Sequence, residues 1–296
     1  MTSEHYSDWY AMLLIMTDET AISQIDPFAG LEDEVDPGPT GQLTTLLAST
    51  KRGFTPYRKV LVQQPNTEEI RAAALAAFVT GRHHRPLDAL LLAHALQPIL
   101  PGTPLSRRTW ARLMSTRKEC SDATAEKTFQ TLVDMKLIKV EGSPKAYEVT
   151  PLMEDQSGDA WVKAGAVKEE GPGYFTLPTA YWTMGLMDRL TLPGKALLLI
   201  ALAETQDPTK PRFAMAVERA PAYYGISERT AERGYNELHR AGLLLVRRQK
   251  VADPKHPAGR RDVYWRALAS PFSTYDRASL QGESKTRTRK ALESAD

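Results

Sequence analysis

The stretch GISERTAERGYNELHRAGLLLVRRQK, residues 225–250, decides how this chain folds. It runs from Gly-Ile-Ser through a charged helical face to Ala-Gly, an apolar strand and a pair of arginines. Ser227 suits a helix N-cap, because its side-chain oxygen can accept from a first-turn N–H that has no partner inside the helix. Glu228 follows it, where the positive end of the helix dipole favours an acid. Ala231, Tyr235 and Leu238 recur at i, i+4 and i+7 and predict the stripe that packs inward. Arg229, Arg233 and Asn236 have the same spacing on a different face, which should point outward.

CSDATAEKTFQTLVDMKLIKV, residues 120–140, repeats this pattern at a constant offset of 106 residues. Ser121, Thr124, Ala125, Glu126, Leu132, Leu137 and Val140 match Ser227, Thr230, Ala231, Glu232, Leu238, Leu243 and Val246. The same register carried upstream matches Leu91, Leu92, Ala95 and Leu96 with Leu197, Leu198, Ala201 and Leu202. Self-similarity on that scale means a duplicated structural unit. Each copy reads as an apolar helix (87–100 and 194–205), then a shorter helix (106–115 and about 213–224). A tight turn, a third helix opened by Ser, and a hairpin complete it. The first hairpin, LIKVEGSPKAYEV, takes Gly142 to Pro144 as its turn, and the second carries a longer loop through Asp253-Pro254 and Gly259.

Three helices followed by a hairpin resemble the winged helix-turn-helix of bacterial DNA-binding proteins. Ser227, Thr230-Ala231, Leu238 and Ala241-Gly242-Leu243-Leu244 resemble the turn, recognition helix and start of the wing in that superfamily. The first copy departs from it by placing Lys136 where the second has Gly242, and Lys carries a strain cost if that residue needs φ > 0. The expected fold class is mainly α with small β-hairpins (α+β): two tandem winged helix-turn-helix domains plus an acidic N-terminal arm. Residues 1–52 are expected to form that poorly ordered arm and 53–85 a helical connector, with a helix opening at Asn66 and stopping at Gly81. The first winged unit then covers 86–151, a linker 152–172, the second unit 173–270, and a basic flexible tail 271–296.

Composition sets limits on this reading. The first 40 residues contain no Lys or Arg and nine acids, so all 38 basic residues lie on the rest of the chain against 27 of the 36 acids. Their longest apolar run, Trp9 to Met16, is too short to cross a bilayer and suits a short element that docks on its own body or on a partner. No basic leader precedes it, so a cytoplasmic protein without a membrane partner is expected. Cys120 is the single cysteine, which excludes a disulfide within the chain and cysteine-pair zinc sites, and it holds the position of apolar Ile226 and reads as packing. Gly194-Lys195 lacks the rest of a P-loop, and no His-Glu-x-x-His, Gly-x-Ser-x-Gly or Gly-x-Gly-x-x-Gly occurs. Neither catalytic residues, metal ligands nor a cofactor is expected.

The chemistry that remains is recognition. Arg matches the paired acceptors of guanine and Asn the donor and acceptor of adenine, so Arg229, Arg233 and Asn236 are the expected base readers, with Lys127 and Gln130 as the first copy's counterparts. Arg247, Arg248, Lys250, Lys255, Arg260 and Arg261 on the second hairpin, Lys145 on the first, and Ser227 are expected to hold phosphates. Double-stranded DNA is the expected partner, with a homodimer and a protein partner for the acidic arm left open. A regulator of transcription reading two half-sites about 34 Å apart is the leading function. A plasmid replication initiator binding origin repeats, and a scaffold similar to condensin accessory subunits, are the alternatives.

Overall fold

The computed structural model describes residues 35–65, 71–101, 103–162 and 173–294. From Gly38 onward they form one compact unit that mixes helices with small antiparallel hairpins. It opens with α1 (Gly38–Ser49), which buries Leu43 and Leu47. Those residues were expected to belong to the arm. Pro39 behind a left-handed Gly38 (φ 68°) is a helix start as much as a loop signal, and the leucines four apart supply the packing face. The segment Trp9 to Met16 lies outside the described residues.

The first repeat begins with β1 (Phe54–Arg58) and α2 (Ala74–Thr80). The expected helical connector is therefore part strand, and the expected helix start at Asn66 lies outside the described residues. Next come α3 (His84–Leu96), α4 (Arg107–Leu113) and α5 (Asp122–Asp134). They lead into a hairpin of β2 (Ile138–Ser143) and β3 (Ala146–Pro151). Its turn is Pro144-Lys145, one step later than the sequence suggests, because Gly142 takes φ 86° while still paired with Tyr147.

The second repeat has the same parts. These are β4 (Tyr174–Pro178), the short α6 (Ala180–Thr183) and α7 (Leu186–Arg189), and the long apolar α8 (Leu192–Glu204). Then follow α9 (Ala220–Tyr224), α10 (Glu228–Arg240), and the hairpin of β5 (Leu244–Ala252) and β6 (Arg260–Leu268). In both repeats a residue before the second helix bridges to the hairpin's return strand, Leu105 to Tyr147 and Phe213 to Arg266.

One hydrophobic core runs from Leu43 to Phe272 through both repeats. Across the seam β1 pairs with β4, so that Thr55 faces Leu177, Pro56 faces Thr176 and Tyr57 faces Phe175. Counting from each strand's first residue, every position pairs with the other strand's mirror position and Pro56 with its own equivalent. The Tyr57 and Phe175 rings stack there at 5.7 Å. Deeper in the seam Lys195 on α8 donates to both Asp88 carboxylate oxygens on α3, at 2.6 and 2.7 Å.

Two expected flexible segments are folded at their ends. The linker's first part bridges Leu152 to Ala160 and buries Glu154, which accepts from the Arg58 backbone N–H and guanidinium at 3.2 and 3.1 Å. The basic tail is helical as α11 (Thr274–Glu293). It has no apolar stripe to announce it; buried Arg277 fixes its start by donating to the Leu202 and Thr205 carbonyls at the end of α8.

Candidate nucleic-acid interface

The outward helix of the second repeat is placed by its own sequence. The Ser227 hydroxyl accepts from the Thr230 N–H at 3.2 Å, and Ser121 caps α5 through Thr124 at the same distance. That commits the Ser227 side chain to the cap. Ala231, Tyr235 and Leu238 are buried as their spacing predicts, and Gly234 joins them. At Gly234 a β-carbon would stand 2.5 Å from the Pro193 carbonyl oxygen, so this glycine lets α10 lie directly on α8. Glu237 ties the same two helices by accepting from the Thr191 N–H at 2.7 Å. The Arg266 guanidinium lies 4.0 Å from the Tyr235 ring centroid and closes the inner face.

The opposite face is left to solvent. Arg229, Arg233 and Asn236 are all exposed, and none has a hydrogen bond or ion pair among the described residues. Glu228 and Glu232 flank them, also exposed. Beside this face the second hairpin carries Arg247, Arg248, Lys250, Lys255, Arg260 and Arg261, every one exposed. Two of the six are engaged by acids of the same hairpin: Arg248 by Asp262, and Arg261 by Asp253 at 3.4 Å. The guanidinium of Arg248 pulls the Asp262 carboxyl below its ordinary range. Arg247, Lys250, Lys255 and Arg260 keep their charges without an ion-pair partner among the described residues.

The first repeat presents a different face. Lys127 and Gln130 are exposed on α5 as expected, but Gln130 donates to Asp134 at 2.8 Å. Arg107 of α4 turns its charge onto Glu126 at 2.8 Å and Asp122 at 3.8 Å. Lys145, exposed at the tip of the short hairpin, has no ion-pair partner among the described residues. Of the residues expected to read bases here, Lys127 has its ammonium left without a partner among the described residues and Gln130 is used internally. Lys136 ends α5 with φ 56°, in the left-handed region that its counterpart Gly242 enters at φ 71°.

No family model matches the chain, and neither does any curated protein or solved structure. Its site therefore rests on geometry alone. Among the described residues no group of three His, Cys, Asp or Glu side chains comes together, and no helix is long and apolar enough to cross a membrane. Cys120 is buried, and burial raises its thiol pKa.

Sequence spacing missed one part of this surface. Arg247, Trp265, Leu245 and Ala267 share one face of the second hairpin, where Arg212 lies 5.6 Å from the Trp265 ring centroid. The Trp265 indole N–H donates to Gln249 across the strands at 2.6 Å. A groove of about 450 Å³ runs along that face. Its members come from three separate segments, so nothing in a single helical or strand period links Arg212 to Trp265.

Proposed function

We propose that the chain is a sequence-specific double-stranded DNA-binding protein, a regulator of transcription built from two tandem winged helix-turn-helix repeats. The observation that carries this reading is the second repeat's outward face. Among the described residues, a helix with unpaired Arg229, Arg233 and Asn236 stands beside a hairpin with four unpaired cations. The helix supplies donors suited to base edges in the major groove, and the hairpin supplies charge suited to phosphates. The order of elements, with its bridge strand before the second helix, supports the winged-helix assignment. The first repeat serves as the weaker reader, since its Gln130 and Arg107 are used internally. A cytoplasmic location follows from this role.

Selection of duplexes from a random pool by the intact chain tests it directly. Enrichment of a defined motif supports the reading, and a pool that stays random overturns it. On the enriched duplex, Arg233→Ala should lose about 1–3 kcal/mol and relax preference at one base pair. Arg247→Ala with Arg260→Ala should weaken binding to every sequence and lower the salt slope by about 0.9 per lost phosphate contact. Genomic pull-down then separates a regulator, enriched at promoters, from a replication initiator, enriched at repeated origin sites.

A further inference from the structure

We propose that the seam between the two repeats is a binding site for a small dianion, a phosphate monoester or a dicarboxylate. A cavity of about 340 Å³ opens there. Lys59 and Arg71 line it from the first repeat's side, and Glu204, Asp207, Lys210 and Tyr224 from the second's. Its size is at the lower end of small-molecule sites and suits a metabolite better than a polymer.

The charges in the cavity are unequally satisfied. The Tyr224 hydroxyl donates to Glu204 at 2.7 Å. The Thr209 N–H and hydroxyl donate to Asp207 at 2.9 and 2.8 Å, and these bonds hold that carboxyl below its usual range. Among the described residues the cations are held less fully. Lys59 is half-buried, and burial lowers its pKa although Glu204 and Asp207 attract it from a distance. Neither its ammonium nor that of Lys210 has a hydrogen bond or ion pair among the described residues. Arg71 donates from its Nε to the Gln64 carbonyl at 3.1 Å and lies 6.0 Å from the Tyr223 ring centroid, which leaves its two terminal nitrogens without a hydrogen bond among the described residues. Two ammonium groups and a guanidinium line the cavity against two carboxylates whose charge their neutral donors leave in place, so the lining carries one positive charge in excess and favours an anion.

The site also touches the element that carries α10. Tyr224 ends α9, Gly225 turns with φ 65° against Ala72 and Ala76, and Ser227 caps α10. A ligand on Tyr224 and Lys59 therefore joins both repeats at the turn before the outward helix. An effect on DNA affinity rests on the function proposed above, whereas the binding site itself does not.

Thermal melts of the intact chain with inorganic phosphate, glycerol 3-phosphate and malonate, at ionic strength matched with sodium chloride, test the site. At least one probe should raise Tm by about 3 °C for each tenfold excess over its Kd. The responding arm tells phosphate from carboxylate. Lys59→Met with Lys210→Ala should weaken that probe by about tenfold or more. If the double variant does not fold, calorimetric titration of Lys210→Ala, which changes only an exposed side chain, reads the same loss. The proposal is overturned if no probe raises Tm, or if the variants bind the probe as the parent does. Duplex binding is measured separately with and without the probe. Probe binding without any duplex binding would overturn the DNA reading and leave the site standing.

Discussion

Lys195 and His94 show how much of this fold is decided by single buried groups. Burial lowers the Lys195 pKa and raises that of Asp88, and each opposes the shift in the other. Lys195→Met should therefore cost about 3–5 kcal/mol by leaving a buried carboxylate unpaired, while Lys195→Met with Asp88→Leu should cost less than the single change. Urea midpoints of the three proteins check this. His94 is buried between Tyr57 and Trp161, and neither ring nitrogen has a partner among the described residues. Burial lowers its pKa, with Glu154 opposing and Arg58 reinforcing the shift. The unfolded chain takes up a proton near pH 6.5 and the folded one does not. This contribution to stability is thus fully present above that pH and is lost as pH falls from there towards the depressed folded value. Half-buried His84, also lowered by burial, acts in the same direction. His94→Phe should flatten the fall in urea midpoint between pH 7 and pH 5.5. Neither residue announces this role in the sequence, because the groups packed around each come from segments remote along the chain.

Elements were more legible than their partners. Caps, apolar spacing and the 106-residue register place α3, α5, α8, α10 and both hairpins within a few residues of where they form. The strands β1 and β4 were missed as a pair because each is only five residues long and, after its first residue, buried without alternation. Gly234 illustrates the same limit: in a list of helix formers it looks like a defect, and only the contact with Pro193 explains it. Gly234→Ala should lower Tm, because the gain of about 0.5–1 kcal/mol from replacing a helical glycine is lost to the clash. Gly282→Ala in α11 is the control, since nothing lies within 4 Å of its added β-carbon, and it should raise stability by about that amount. A rise in both variants would show that backbone freedom and not the close approach governs Gly234.

At the scale of the whole molecule the expectation of two domains on a linker gives way to two repeats around one core. The outward faces that make the candidate site were legible residue by residue, while the seam that holds them together was not, since its contacts join positions more than 100 residues apart. Calorimetry of the intact chain should therefore show a single unfolding transition, and residues 38–162 expressed alone should melt without a cooperative transition; two resolved transitions would contradict the shared core. The register of β1 on β4 has an evolutionary meaning as well. Two strands pairing first residue to last about a common middle is how two identical subunits would join, yet in a dimer of identical chains every substitution falls on both sides at once. Asp88 and Lys195 have Gly194 and Ala89 as their counterparts at the 106-residue offset. A buried pair of opposite charges without a mirror copy is open only to a chain whose halves mutate separately. The same freedom lets the second repeat leave Arg229 and Arg233 bare among the described residues on its outward helix, while the first turns Arg107 onto Asp122 and Glu126.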